Sequence, residues 1–159
     1  MIIRPATLSD TVQMAEILNH VIAIGGTTAY EDPLEPAYFE RLINAPDPKV
    51  FLHVAETSDG IQGLQWIEPL DPPNEHVGGI ATFAKPLITQ RGIGTTLFEM
   101  TKKTSRLVGY TELVAKIRAD NTSGLRYYEK MGFRDYSIAK GEPLKDGTPV
   151  DRISKRLTL

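Results

Sequence analysis

Cysteine is absent from this chain, so disulfides, thiolate metal sites and cysteine nucleophiles are excluded, and the fold must be held by its apolar core. Long apolar runs are missing too. Nothing approaches the roughly 18 residues that a membrane-crossing helix needs, and the opening Met1-Ile2-Ile3-Arg4 is too short for a signal peptide. The expectation is a soluble, cytoplasmic protein with no membrane partner. Basic excess is also lacking: 18 Lys and Arg against 20 Asp and Glu give a formal charge of −2, which provides no net field to attract nucleic acid. The histidines at 20, 53 and 76 are scattered without ligand spacing, so no metal is expected. His20 and His53 sit among apolar neighbours and read as structural. With no internal repeat, low-complexity tract or linker, the 159 residues form a single domain, 1–159.

What is present reads as alternating strands and helices. Ile2 to Ala6 is a short strand, after which Ser9 can cap a helix with the stripe Ala15, Leu18, Val21 and Ile22, stopped by Gly25-Gly26. Thr27 to Pro33 is irregular, and Pro36 opens a second, short helix that ends near Asn44. Val50 to Ala55 and Ile61 to Ile67 are strand-like runs joined by the turn Ser58-Asp59-Gly60, and they should pair antiparallel. Prolines 69, 72 and 73 break the chain before a further strand, Gly79 to Ala84. A long helix from about Arg91 carries Ile93, Leu97, Met100, Thr104, Leu107 and Val108 on one side, with Gly109 as its left-handed cap. Leu113 to Ile117, a helix from Asn121 to Met131 ended by Gly132, and strands Phe133 to Ile138 and Val150 to Leu157 complete the chain. Hairpins mixed with strand–helix alternation predict an α+β fold. Its centre is a mixed, mostly antiparallel sheet of about seven strands with helices on both faces.

Two segments carry chemistry. Gln90-Arg91-Gly92-Ile93-Gly94-Thr95 lies between a strand and a helix, where glycines let main-chain N–H groups approach an anion and the helix dipole favours phosphate. A Gly-x-Gly turn also serves simply to pack a helix on a strand. No segment has the Gly-Lys-Ser/Thr of a P-loop, and a dinucleotide fingerprint would want a small residue where Leu97 stands. The second segment, Asn121 to Phe133, is a short helix that places Gly124, Leu125 and Tyr128 near one another, with Gly124 offering room for a ligand. Tyrosines in such a helix also serve simply as packing residues.

Together these segments, about thirty residues apart, resemble the two signature motifs of GNAT acetyltransferases. Ile3-Arg4-Pro5-Ala6-Thr7 and Ala84-Lys85-Pro86 are also typical of that superfamily, so the resemblance covers nearly the whole chain. The opening and Gly26-Thr27-Thr28-Ala29-Tyr30 look most like the phosphinothricin acetyltransferase-type branch. The resemblance implies acetyl-CoA as co-substrate. Gln90, Arg91, Gly92, Ile93, Gly94 and Thr95 would serve its pyrophosphate, and Thr82 with Phe83 and Ala84 would run beside the pantetheine arm. Asn121 and Tyr128 would face the thioester end. Thr28, Tyr30 and Glu31 fall in a segment that commonly shapes the acceptor pocket. One departure stands out: the position three residues before Gly92, usually glutamine or arginine, is Thr89.

The implied reaction is direct attack of a primary amine of a small molecule or amino acid on the acetyl thioester. A strand amide near Phe83 would polarise the carbonyl, and Tyr128 would be the catalytic acid for the departing thiolate. An alkylamine with pKa near 10.4 needs help to lose its proton, and Glu31, Glu68, Glu75 and His76 are the candidate bases. Alternatives are a non-catalytic CoA-binding regulatory module, a structural module whose glycines only pack, and transfer to a protein N-terminus or lysine. A homodimer pairing terminal strands is open to such a chain.

Overall fold

The computed structural model describes residues 1–70, 75–87 and 91–159. In chain order the elements are β1 (Ile2–Pro5), a 3-10 turn (Leu8–Asp10), α1 (Thr11–Ile24), α2 (Pro36–Ile43), β2 (Phe51–Thr57), β3 (Gly60–Pro69), β4 (Val77–Ala84), α3 (Ile93–Leu107), β5 (Glu112–Arg118), α4 (Thr122–Lys130), β6 (Arg134–Pro143) and β7 (Pro149–Thr158). The strands form one seven-stranded sheet in the order β1-β2-β3-β4-β5-β7-β6. Every adjacent pair is antiparallel except β4 and β5, which run parallel. The edges are therefore β1 and β6, and the last strand, β7, is interior.

Period-two alternation decides which helices cover which face. Leu52 and Val54 of β2 and Leu64 and Trp66 of β3 join Met14, Leu18, Phe39 and Leu42 in a cluster beneath α1 and α2. Ile67, Ile80, Leu113, Ala115 and Ile117 point the other way, against Phe98 of α3, Tyr128 of α4, and Phe133. Burying each such side chain contributes about 1.5–3 kcal/mol, so this two-sided core supplies the stability that disulfides cannot. Gly63 permits close packing on the second face, because a Cβ there would lie 2.8 Å from Ile93 Cγ2.

The element bounds differ from the sequence expectation in places with physical causes. Ser9 does not cap α1. Instead Thr7 and Asp10 form a capping box around the preceding 3-10 turn, the Asp10 carboxylate accepting the Thr7 N–H at 2.7 Å and taking both Nη atoms of Arg4. The first helix therefore starts at Thr11. The buried stripe of α3 is Ile93, Leu97, Phe98, Thr101 and Ser105, whereas Met100 and Leu107 are exposed. Two small polar residues replace the apolar ones because each is satisfied inside: Ser105 donates to the Thr101 carbonyl, and Thr101 Oγ1 meets His53 Nδ1 at 3.0 Å. His20, read as structural, is an exposed position on α1, whereas His53 is buried as expected.

Candidate active site

The opening in the sheet comes from the parting of β4 and β5. They pair only at Val77–Gly79 with Glu112–Val114, after which β5 stays with β7 through Arg118 and β4 runs on with β3 as far as Ala84. The side of β4 that faces away from β3 is thus left without a strand partner beyond Gly79. The bonds Leu70 N–H to Val77 O and Lys85 N–H to Gln62 O fix the ladder phase, and no bulge interrupts it. By alternation the main chain of Phe83 turns into the sheet, and those of Thr82 and Ala84 turn into the opening. The strand amides that face the opening are therefore those of Thr82 and Ala84, not that of Phe83.

The first turn of α3 carries Ile93, Gly94 and Thr95, whose N–H groups have no intrahelical partner by position. Gly92, the residue before them, has no side chain to cap them, and its φ of 84° is the left-handed conformation that glycine adopts without strain. Among the described residues nothing lies within 4 Å of where its Cβ would be. Arg91 and Gly92 are both exposed. This is a geometry that suits an anion: three amides without an intrahelical partner and a helix dipole, with no Cβ at Gly92 in the way. Gly94 serves a different purpose. A Cβ there would lie 2.7 Å from Tyr127 Cε2, so its absence lets the α4 tyrosine pack onto α3. The packing reading of the Gly-x-Gly turn therefore applies to Gly94. Gln90 and Thr89 fall outside the described residues.

Tyr128 is 6% exposed and packs edge-on against Phe133 and Tyr127. Its hydroxyl reaches across from α4 to the Thr82 hydroxyl of β4, 2.8 Å away. Burial first, and then the neighbouring Tyr127, push the phenol well above its ordinary pKa, with the Thr82 hydrogen bond opposing; the group therefore keeps its proton at any working pH. Tyr127 is pushed up to about 12 by burial, and its hydroxyl donates to the Gly94 carbonyl at 2.8 Å.

Asn121 is engaged twice within the protein. Its Oδ1 accepts the Gly124 N–H at 2.9 Å as the cap of α4, and its Nδ2 donates to the Thr27 carbonyl at 2.9 Å. That carboxamide also fills the space over Gly124, where a Cβ would lie 2.4 Å from Asn121 Nδ2, so Gly124 makes room for the cap and not for a ligand. Arg118 reinforces the link, donating to the Thr28 carbonyl and bridging Asp120 through Nε and Nη2.

The segment between α1 and α2 lies on the opposite face of the sheet. Ala29, Tyr30, Glu31, Asp32 and Leu34 line a cavity of about 460 Å³, closed on one side by Lys145 from the β6–β7 turn. Glu31 accepts the Lys145 N–H, and Asp32 pairs with its ammonium. Thr28 is buried, and its hydroxyl accepts the Tyr30 N–H at 3.1 Å. Tyr30 and Tyr38 share a hydroxyl–hydroxyl bond of 2.8 Å, and an aromatic series continues through Tyr38 and Trp66 to Phe83, which stacks on Trp66 at 5.4 Å. Phe83 thus presents its ring to this face and Tyr128 belongs to the other. Of the candidate bases, Glu75 and His76 are exposed, while Glu68 on β3 sits opposite Gly79, where the strands begin to part, on the face that carries Trp66. Its charge is among the influences that raise the Tyr38 phenol, after burial and Tyr30.

Gln65 was missed by the sequence reading, although it stands out as a polar residue in the apolar run Ile61 to Ile67. It is fully buried, and its Nε2 contacts Thr82 Oγ1 at 2.8 Å and Tyr127 Oη at 3.2 Å.

The sheet thus splits between its two parallel strands, and the buried Tyr128 hydroxyl meets Thr82 on the β4 side of that split. The model of the acetyltransferase (GNAT) family matches residues 17–133, and the chain belongs to that family. Phosphinothricin N-acetyltransferase of Streptomyces viridochromogenes is 24% identical over 148 residues, which cover 91% of this chain and 80% of that one. Among solved structures, ribosomal-protein-alanine N-acetyltransferase from Brucella melitensis superposes with a TM-score of 0.91 at 22% identity, covering 100% of both chains. A GNAT superfamily phosphinothricin acetyltransferase from Sinorhizobium meliloti, solved in complex with AcCoA, gives 0.88 at 19% identity over 99% of this chain and 88% of that one. Among the described residues no helix is long and apolar enough to cross a membrane.

Proposed function

We propose that this acetyltransferase moves an acetyl group from acetyl-CoA to the primary amine of a small molecule or amino acid. The observation that carries the reading is the parting of β4 and β5, with the α3 amides that lack an intrahelical partner at one end and the Tyr128 hydroxyl on its wall. The residues fit the co-substrate: Ile93, Gly94 and Thr95 would hold its pyrophosphate through main-chain N–H groups, Arg91 would add charge at the rim, and the free main chain of Thr82 and Ala84 would pair with the pantetheine amides. When bound, acetyl-CoA supplies an activated thioester for the amine to attack.

The chain's own groups then have separable roles. The N–H of Thr82 or Ala84 polarises the thioester carbonyl, and the Tyr128 hydroxyl gives a proton to the sulfur as the C–S bond breaks. Glu68 is the carboxylate assigned to relieving the amine of its proton, through water, because it is partly buried at the head of the opening on the acceptor side. A cavity of about 460 Å³ is of small-molecule size, and its mixed lining of Glu31, Asp32 and Lys145 suits an acceptor carrying both an ammonium and an acid group.

The test is release of free thiol from acetyl-CoA across a panel of amino acids, small amines and short peptides. Amino acids should turn over best, and Tyr128→Phe should lower kcat about 100-fold with acetyl-CoA affinity nearly unchanged. Glu68→Gln should lower turnover most at the acidic end of the pH profile. Peptide turnover exceeding that of every amino acid would contradict the small-molecule reading, and acetyl-CoA binding with no release on any amine would favour a regulatory module.

A further inference from the structure

The geometry points to Tyr127 as a positioning residue for the anion cradle, its hydroxyl fixing and strengthening the Thr95 amide; this rests on the pyrophosphate role assigned to the first turn of α3 above. A carbonyl only accepts, so the 2.8 Å bond between Tyr127 Oη and the Gly94 oxygen carries the Tyr127 proton. That oxygen has two lone pairs, one for the Phe98 N–H four residues on in α3 and one for the phenol. The Gly94 carbonyl and the Thr95 N–H belong to one planar peptide group, whose resonance moves charge from nitrogen to oxygen. A proton donor on the oxygen leaves the N–H more positive. The phenol thus makes Thr95, one of the three amides without an intrahelical partner, a stronger donor to an anion.

Packing alone does not explain the hydroxyl. The Tyr127 ring fills the space that Gly94 leaves, its Cε2 lying 2.7 Å from where a Cβ would be, and a phenylalanine ring would fill it equally. The oxygen is bonded on two sides: it donates to Gly94 and accepts from Gln65 Nε2 at 3.2 Å, so β3 holds it in place as well as α3. Burial pushes the phenol up to about 12, with the Gln65 and Thr82 hydroxyl and amide contacts opposing, and the proton therefore stays on the oxygen at any working pH. Tyr128, the next residue, meets Thr82 on β4. Consecutive tyrosines of α4 thereby tie the cradle to the end of the opening assigned to the thioester.

Inorganic pyrophosphate, titrated into isotope-labelled protein and followed by NMR, reads the cradle without acetyl-CoA or an acceptor amine. In the wild-type protein its saturable binding should move the amide signals of Ile93, Gly94 and Thr95. Tyr127→Phe should move the Thr95 amide signal before any ligand is added, in the direction of a less polarised N–H. The same variant should bind pyrophosphate and acetyl-CoA about three- to fivefold more weakly, a smaller loss than the roughly tenfold or more expected when a direct bond to a charged group is removed. Tyr127→Leu, which loses the ring too, should unfold at lower urea yet bind pyrophosphate about as well as the phenylalanine variant, a split between affinity and stability that a packing role would not give. Pyrophosphate affinity unchanged in Tyr127→Phe overturns the role of Tyr127. Affinity that follows stability, falling much further in the leucine variant than in the phenylalanine one, overturns it as well. Pyrophosphate that leaves all three amides of the wild-type protein unmoved would instead overturn the cradle itself, and the inference with it.

Discussion

His53 illustrates how far a single side chain can be interpreted. It is 4% exposed between β2 and α3 and bonded to Thr101, and burial lowers its pKa from 6.5 to about 4. The folded state therefore holds the neutral form, while the unfolded chain takes up a proton below about pH 6.5. The stability this gives is fully present above that pH and is lost as pH falls toward 4, on the order of 2 kcal/mol of it by pH 5. Urea unfolding at pH 7 and pH 5 should show that loss, and His53→Gln should remove most of the difference. An unchanged pH dependence in the variant would show that other groups govern it. Some residue-level features were legible in the sequence, such as Asn121 as a helix cap and a buried role for His53. Gln65 was not, because its role depends on which strands flank it and which helix covers it, and neither is a local property.

At the scale of elements, the two glycines that begin α3 have separate roles that the motif alone does not distinguish. Gly92 is needed for its backbone angle and Gly94 for lack of a side chain. Gly92→Ala should cost about 1 kcal/mol in urea unfolding, the strain of a left-handed alanine. Gly94→Ala should cost more, roughly 1–3 kcal/mol, because its Cβ meets the Tyr127 ring with a neighbouring helix behind it. Equal costs would mean that the Tyr127 contact is not tight. The order and type of the elements were readable from periodicity and turn residues. The rotation of α3 about its axis was not: Met100 and Leu107 are apolar yet exposed, whereas Thr101 and Ser105 are polar yet buried, since local hydrogen bonds satisfy their hydroxyls. Hydrophobicity counts misjudge such pairs, and only the packed structure shows which side wins.

At the scale of the whole molecule, both faces of the sheet must meet at the opening, and the junction of β5 with α4 ties them. Asn121 holds Thr27 and caps the tyrosine helix, and Arg118 holds Thr28 across 90 positions of sequence. Asn121→Ala should therefore cost about 1–2 kcal/mol in stability, and it should also raise KM for the amine acceptor more than that for acetyl-CoA. A stability loss with both KM values unchanged would show that Asn121 acts as a cap alone. This coupling joins segments nearly a hundred residues apart, so no local pattern announces it. The parting of β4 and β5 is likewise a property of register, invisible until the strands are paired. The resemblance carried by Gln90 to Gly94 and by Asn121 to Phe133 led to the correct family, yet it was the paired strands that placed the opening.

The most direct measurement of the account is calorimetric titration of the wild-type protein with acetyl-CoA. One molecule should bind per chain with a dissociation constant in the micromolar range, and excess inorganic pyrophosphate should compete for the amides of Ile93, Gly94 and Thr95. Absence of saturable binding at millimolar acetyl-CoA would contradict the assignment of the split between β4 and β5 as its site.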